Sequence, residues 1–355
     1  SPGARGRTES TGKAPAAIVD LKAAVRYLKA NDKAMPGDAE KIISNGTSAG
    51  GAMSALLGAT ADQKDYEKYL KALGAADGSD KVFAVSAYCP ITDLDHADMA
   101  YEWQFNGVND YKKMNISMLD YRVKRELVAG TLTDDEKKLS DLLKPLYPAY
   151  LNSLNLKSPE GKPLALDAQG NGSFKNHIAS LLAQSAQAQL DASKDLSDRT
   201  WLTVRKGKVV SVDFDAYAKA AGRQKTPPAF DGIDLSAGEN QLFGTNTVDK
   251  RHFTAFSMQH NTATNAEIAD EETIKIMNPL NYIGKPGINL PQNWRIRVGT
   301  NDRDTSLAVS AVLAAKLQNN GQTVDYALPW DVGHGGDYDL DELFAWMKQV
   351  SSSAK

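Results

Sequence analysis

The apolar positions of the first ninety residues alternate between helical and strand-like patterns. Apolar side chains recur every three or four residues from Ile18 to Leu28, and this spacing predicts a helix. Short apolar runs at 41–45 and 82–88 predict buried strands, while the one-sided pattern of 62–73 predicts a surface helix. Helices that alternate with buried strands indicate a mostly parallel sheet with helices on its faces.

This alternation stops near residue 92 and returns near residue 290. The sequence in between predicts three helices, at 117–129, 133–144 and 177–192. It also predicts a hairpin at 200–214 that turns at Lys206-Gly207-Lys208. The last part predicts strands at 294–299 and 323–329 and helices at 307–318 and 340–350. We therefore expect an α/β core in two parts, 1–92 and 290–355, with an inserted lid or substrate-binding domain at 93–289.

Ser48 lies in a Gly-x-Ser-x-Gly motif, Gly46-Thr47-Ser48-Ala49-Gly50, between the strand at 41–45 and a predicted helix. This context is that of a nucleophile elbow, in which a sharp turn lifts the serine hydroxyl above the sheet. The glycines are expected to give this turn the room that it needs. The backbone N–H of Ala49, in the first turn of the helix, would face a developing oxyanion.

A nucleophilic serine needs a base and a group that orients the base. His334 follows the last predicted strand in a glycine-flanked loop, at the sheet edge where such folds place their sites. Asp302 and Asp304 both follow the preceding strand, so the order serine, aspartate, histidine matches an α/β-hydrolase. We favour Asp302 as the orienting acid, because Asp304 is also well placed to cap the next helix. The remaining histidines are expected at the surface or at helix caps: His96, His177, His252 and His260.

Composition and charge exclude several other classes of function. The 355 residues carry a formal net charge of -3 with a pI near 6.0, which argues against nucleic-acid binding. No apolar run is long enough to cross a bilayer. The single cysteine, Cys89, excludes an internal disulfide framework. The acidic stretches 93–98 and 337–342 lack the spacing of a calcium loop, so we predict no metal site.

Taken together, these residues resemble the bacterial tannases (tannin acylhydrolases) of the α/β-hydrolase fold. The resemblance spans nearly the whole chain, which makes it more specific than the elbow alone. The stretches that carry it are Ser1–Thr8, Ala14–Lys22, Gly46–Gly51, Tyr88–Leu94, Met99–Phe105, His252–Thr254, Gly299–Leu307 and Gly333–Gly336.

The resemblance implies hydrolysis of galloyl esters through a galloyl-enzyme, with no cofactor. It assigns Ser48 as the nucleophile, His334 as the base and Asp302 as the orienting acid. The family's contacts to the galloyl hydroxyls fall on Lys225, Glu239 and Asp304. Without the resemblance, Lys225 and Glu239 would be interpreted as solvated charges.

Two alternatives stay open at this point, a feruloyl or general aryl esterase and a catalytically silent binding protein of the same fold. Only 47 residues precede Ser48, whereas the family carries a longer segment there. We therefore expect an N-terminal segment of the same precursor as a partner that completes the sheet. A small-molecule ester is the other expected partner, and the sequence leaves the compartment, cytoplasmic or secreted, open.

Overall fold

The computed structural model describes residues 10–119 and 122–353, within which the chain forms eight β-strands and thirteen α-helices. The stretch Ser1–Thr8, which contributed to the family resemblance, lies outside the described residues. The strands are β1 (Ile43–Thr47), β2 (Ala84–Tyr88), β3 (Asp110–Leu119), β4 (Arg122–Thr131), β5 (Leu202–Arg205), β6 (Lys208–Val212), β7 (Asn293–Arg297) and β8 (Thr323–Ala327). The helices are α1 (Ala16–Ala30), α2 (Ala49–Ala59), α3 (Glu67–Leu73), α4 (Leu94–Phe105), α5 (Asp134–Leu143), α6 (Leu146–Ser153), α7 (Ser173–Asp191), α8 (Phe214–Ala221), α9 (Gly238–Leu242), α10 (Ala255–Gln259), α11 (Glu271–Ile276), α12 (Leu307–Asn319) and α13 (Leu340–Ser353). None of the helices in these two ranges has the length and apolarity to cross a membrane.

Four parallel strands form the central sheet in the order β1-β2-β7-β8. Their register places the last residues of the four strands side by side: Thr47, Tyr88, Arg297 and Ala327. The loops that follow these strands therefore leave the sheet along one edge. That edge is where the predicted catalytic residues must meet if they form one site.

Helices pack closely against the central sheet. A Cβ atom at Gly58 of α2 would lie 2.5 Å from Val85 Cγ2 and 2.8 Å from the ring of Trp294, so glycine lets α2 approach the sheet. Trp294 on β7 is fully buried, and α12 packs on β8 with most of its side chains buried. The core beneath the sheet is therefore closely packed.

The region between β2 and β7 holds α4 to α11 and two antiparallel hairpins, β3–β4 and β5–β6. Its interior contains an aromatic cluster in which the Trp103 ring lies 5.7 Å from Tyr147, 5.7 Å from Phe174 and 5.3 Å from Phe214. Helix α4 ties this region to the core, because Gln104 Oε1 accepts a hydrogen bond of 2.8 Å from the backbone N–H of Leu307.

Most predicted elements are confirmed, but the helix predicted at 117–129 is wrong. Its described residues, 117–119 and 122–129, belong to the β3–β4 hairpin, which pairs Met114 with Leu127 and Lys113 with Val128. Leu127 and Val128 are exposed, so their helix-like spacing does not mark a face turned to the core. Local periodicity gave the wrong element here because cross-strand pairing between β3 and β4, and not the burial of one helical face, decides the conformation.

Candidate active site

Ser48 lies at the carboxyl end of β1 in a strained conformation. Its φ of 84° and ψ of -102° fall where non-glycine residues rarely lie, and α2 begins at the next residue, Ala49. The Ser48 N–H donates to Tyr88 O over 3.0 Å and so fixes the turn against β2. The sharp turn expected from the motif is present.

Two of the three glycines around Ser48 have no room for a side chain. A Cβ atom at Gly46 would lie 2.2 Å from Gly50 O, and one at Gly51 would lie 2.6 Å from Tyr88 O. At Gly50 the same atom would meet nothing within 4 Å. The expectation that the motif's glycines all relieve crowding is therefore wrong for Gly50.

The structure brings Ser48, His334 and Asp302 into one chain of contacts. Ser48 Oγ lies 2.7 Å from His334 Nε2, and His334 Nδ1 lies 2.8 Å from Asp302 Oδ2. Asp302 is fully buried, and its other oxygen accepts a hydrogen bond of 2.9 Å from the N–H of Asp304. A buried carboxylate that is held this way can fix the imidazole with its proton on Nδ1.

Backbone contacts between the loops after β7 and β8 place the acid beside the histidine. The Asn301 N–H donates to Val332 O over 3.0 Å, and the Asp331 N–H donates to Thr300 Oγ1 over 2.7 Å. The histidine loop in turn lies on the elbow, since a Cβ atom at Gly336 would be 2.1 Å from Thr47 Oγ1. The three loops therefore support one another.

Two further groups approach the same imidazole nitrogen as Ser48. Asp304 Oδ2 lies 3.1 Å and Cys89 Sγ 3.9 Å from His334 Nε2. Burial alone lowers the pKa of His334, but the contacts with Asp302 and Cys89 and the charges of Asp302 and Asp304 outweigh it and raise the pKa to about 10. The free site therefore favours the imidazolium form.

Cys89 is buried. Its place beside His334 was not among the predictions. Its position directly after β2, at the same sheet edge as Ser48, is the signal that could have predicted this place.

Lys225, Glu239 and Asp304 line one cavity of about 1110 Å³ together with Ser48 and His334. Lys225 Nζ lies 3.6 Å from Asp304 Oδ2, and Gln224 Nε2 donates to Asp304 Oδ1 over 3.0 Å. Burial raises the pKa of the Glu239 carboxyl, and the charge of Lys225 opposes this effect. Asp304 does not cap the next helix, because Ser306 does so by accepting from the Ala308 N–H.

The other four histidines differ in their surroundings. His96, His177 and His260 are partly exposed, whereas His252 is fully buried, so the expectation of a surface or cap position is wrong for His252. Among the described residues, Asp93, Asp95 and His96 also lie close enough together for a metal ion. The Asp93 carboxylate accepts hydrogen bonds of 2.5 Å from Tyr150 and 2.7 Å from Asn278, so protein donors already occupy both of its oxygens.

Comparisons with known proteins extend this picture. Residues 6–133 match the family model described as BD-FAE, which is an α/β-hydrolase family. Over 96% of its length the chain is similar to the solved tannase from Lactobacillus plantarum, with 46% identity, a TM-score of 0.93 and coverage of 73% of that chain. The Fusobacterium nucleatum tannase matches with 50% identity and a TM-score of 0.90 over 96% of this chain and 74% of that one.

A solved tannin acyl hydrolase in complex with ethyl gallate is also similar, with 47% identity and a TM-score of 0.90 over 96% of this chain and 72% of that one. A comparison with curated proteins gave no match. The structural similarities confirm the predicted α/β-hydrolase fold class.

Proposed function

The chain belongs to the tannase family of carboxylic ester hydrolases, and we propose that it cleaves galloyl esters in hydrolysable tannins and alkyl gallates. One observation carries this proposal above the others. The contact chain from Ser48 through His334 to Asp302 opens into a cavity that is also lined by the carboxylates of Glu239 and Asp304 and the ammonium group of Lys225. Such a cavity suits an aromatic acyl group with adjacent hydroxyls.

In the proposed reaction Ser48 Oγ attacks the galloyl carbonyl carbon while His334 Nε2 takes the hydroxyl proton. The N–H of Ala49 stabilises the oxyanion, since the first N–H groups of a helix have no partner within it. The bond to the alcohol then breaks, and His334 gives its proton to the leaving oxygen. Water, deprotonated by His334, attacks the galloyl ester of Ser48, and the proton returns to Ser48 as gallate leaves. Asp302 keeps the proton of Nδ1 in place throughout.

Lys225, Glu239 and Asp304 are proposed to bind the three ring hydroxyls. A carboxylate accepts a hydrogen bond from a phenolic O–H, and an ammonium group donates one to the phenolic oxygen. These charge-assisted bonds are strong, and a ring without hydroxyls would leave the charges unpaired. A site of this type discriminates steeply against the analogue that lacks the polar groups.

Asp304 connects ring recognition to catalysis in this scheme. In the free site its carboxylate faces His334 Nε2 and favours the imidazolium form, which cannot accept the proton of Ser48. We infer that a ring hydroxyl bound to Asp304 engages this carboxylate. The imidazole is then free to act as a base toward Ser48.

The segment 93–289 is proposed to act as the lid and substrate-binding domain over the core segments 1–92 and 290–355. It supplies Lys225 and Glu239, whereas the core supplies Ser48, Asp302 and His334. This division assigns ring recognition largely to the insertion and bond cleavage to the core.

The N-terminal segment expected to complete the sheet also remains a proposal. Within residues 10–119 and 122–353, β1 pairs with β2 alone, so one edge of β1 is without a neighbour. The solved tannases are longer than the part matched by this chain. We propose that further strands of the same precursor pair with β1, and intact-mass analysis of the native protein would reveal a companion peptide.

Turnover of matched methyl esters tests the proposed function. Methyl gallate is expected to be hydrolysed, while methyl 3,4,5-trimethoxybenzoate, which has the same ring without free hydroxyls, is not. Methyl ferulate distinguishes the alternative esterase, because similar rates on ferulate and gallate would contradict a galloyl-specific site. Ser48→Ala should abolish turnover, and an unchanged rate in that variant would overturn the proposed nucleophile.

A further inference from the structure

We propose that His252, through its hydrogen bond with Asp231, positions the part of the site that recognises the galloyl ring. His252 does not line the cavity, and the mechanism above does not use it. The inference rests on the proposed function, since it concerns how the ring-binding residues are held. It is carried by a hydrogen-bond network inside the insertion whose central residues, Asp231, Asn240 and His252, are fully buried.

Both ring nitrogens of His252 face acceptor oxygens. Nδ1 lies 2.7 Å from Asp231 Oδ1, and Nε2 lies 2.8 Å from Asn261 Oδ1. The Asn261 amide has a fixed orientation, because its Nδ2 donates to Ala263 O over 2.7 Å and its Oδ1 accepts from the Ala263 N–H over 3.1 Å. Nε2 must therefore carry a proton.

Asp231, the partner of the second ring nitrogen, is surrounded by donors. Its Oδ1 also accepts from Asn240 Nδ2 over 2.7 Å. Its Oδ2 accepts from the Phe253 N–H, the Thr254 N–H and the Thr254 hydroxyl, over 3.0, 2.9 and 2.7 Å. These four donors hold the carboxylate in place, so His252 connects a fixed Asp231 on one side of its ring with a fixed Asn261 on the other.

One arm of this network leads to Glu239. Asn240, the next residue in the chain, donates to Asp231 through its side-chain nitrogen. Its side-chain oxygen accepts from the N–H groups of Gly232 and Ala237, each over 3.2 Å, and so closes the loop that precedes Glu239. The position of Glu239 in the cavity depends on this loop.

A second arm leads to Lys225. The Lys225 ammonium lies 4.1 Å from the ring centre of Phe230, the residue directly before Asp231. The Phe230 N–H donates to the buried carboxyl of Asp98 over 2.6 Å. Asp304, by contrast, follows β7 in the core. His252 thus supports two of the three proposed ring contacts but not the catalytic groups.

Two substitutions separate the two hydrogen bonds of His252. The amide nitrogen of asparagine replaces Nδ1, so His252→Asn keeps a donor toward Asp231. The amide nitrogen of glutamine replaces Nε2, so His252→Gln keeps the donor toward Asn261 and loses the hydrogen bond to Asp231. His260→Gln is the matched control, because His260 lies in the same segment, and its Nδ1 contacts only Phe256 O among the described residues, at 2.8 Å.

Steady-state kinetics on methyl gallate should show a split effect. Loss of a hydrogen bond to a charged group predicts a KM about tenfold higher or more for His252→Gln, with kcat changed by less than about threefold. His252→Asn and His260→Gln should keep KM within about threefold of the native value. Labelling of Ser48 by a small non-aromatic phosphonate, which makes no ring contacts, should proceed at the native rate in all three variants.

Two results in His252→Gln would overturn the inference. One is an unchanged KM. The other is a parallel loss of kcat and of phosphonate labelling, which indicates general structural damage. If His252→Gln does not fold, a tenfold rise of KM in folded His252→Asn would contradict the role given to the Asp231 contact. A native protein that does not hydrolyse methyl gallate would instead refute the proposed function.

A double-variant cycle tests the path to Glu239. If His252 acts through Glu239, the KM of His252→Gln combined with Glu239→Gln should rise less than the product of the two single effects. Multiplicative effects would contradict this arm of the network.

Discussion

Replacing Asp304 with asparagine should lower the pKa of His334, so that its imidazole is neutral and able to take the Ser48 proton at lower pH. The Asp304 carboxylate lies 3.1 Å from His334 Nε2, and both side chains are about one-fifth exposed. At an effective dielectric constant of about 20, two unit charges at this distance attract by about 5 kcal/mol. Partial exposure reduces this energy, so we expect the pKa of His334 to fall by roughly 1 to 3 units.

The rate at which a small non-aromatic phosphonate labels Ser48, measured against pH, reports this change directly. Labelling needs a neutral His334, so its midpoint should move to lower pH in Asp304→Asn by the amount given above. Turnover of methyl gallate should fall in the same variant, because a ring contact is lost. This opposite response of labelling and turnover distinguishes the proposed dual role from simple damage.

Asp337→Asn is the control for a change in overall charge. Asp337 lies in the same loop as His334 and is exposed, with Asn45 donating to its Oδ1 over 3.0 Å. Asp337→Asn should leave the pH midpoint of Ser48 labelling unchanged. An unchanged midpoint in Asp304→Asn, or an equal shift in both variants, would refute the argument that the Asp304 carboxylate controls the imidazole.

Three other predictions concern the folded state. Gly50→Ala should retain activity while Gly46→Ala should lose it and unfold at lower temperature, since only the latter meets backbone within 3 Å; equal melting temperatures would contradict this. Burial and the charge of Asp231 raise the pKa of Asp98 to about 8. The protonated Asp98 therefore contributes to folding stability fully below about pH 4, and this contribution is lost as the pH rises through 8. In urea unfolding, the free energy of unfolding of Asp98→Asn should therefore rise relative to that of the native protein by up to about 1.4 kcal/mol per pH unit over that range. Parallel curves of this free energy against pH would disprove the prediction. Glu102→Leu leaves the fully buried Arg223 guanidinium without its carboxylate, 2.6 Å away, and should cost about 3–5 kcal/mol of unfolding free energy, whereas a loss below about 1 kcal/mol would contradict this pairing.

The sheet and its edge were predictable because strand periodicity and motif position are local signals. Ser48, Asp302 and His334 each follow a strand, and parallel strands bring their carboxyl ends together whatever lies between them. The same logic did not extend to the insertion. There cross-strand pairing forms the β3–β4 hairpin without a buried helical face, and the helical spacing of its apolar residues misled the prediction at 117–129.

Buried polar networks were the second feature that the sequence did not disclose. Nothing local distinguishes His252, which is fully buried, from His260, which is partly exposed. The difference arises from Asp231, which lies 21 residues away from His252 and is buried against it. Similarly, the cap expected at Asp304 lies at Ser306, which leaves Asp304 available to the cavity.

Trapping the acyl-enzyme tests the central claim most directly. Methyl gallate mixed with the protein and quenched in acid within the first turnovers should yield protein whose mass has increased by one galloyl group. Peptide mapping should place this group on Ser48, and Ser48→Ala should carry none. Turnover of methyl gallate with the galloyl group on another residue, or with the same yield in Ser48→Ala, would contradict the account.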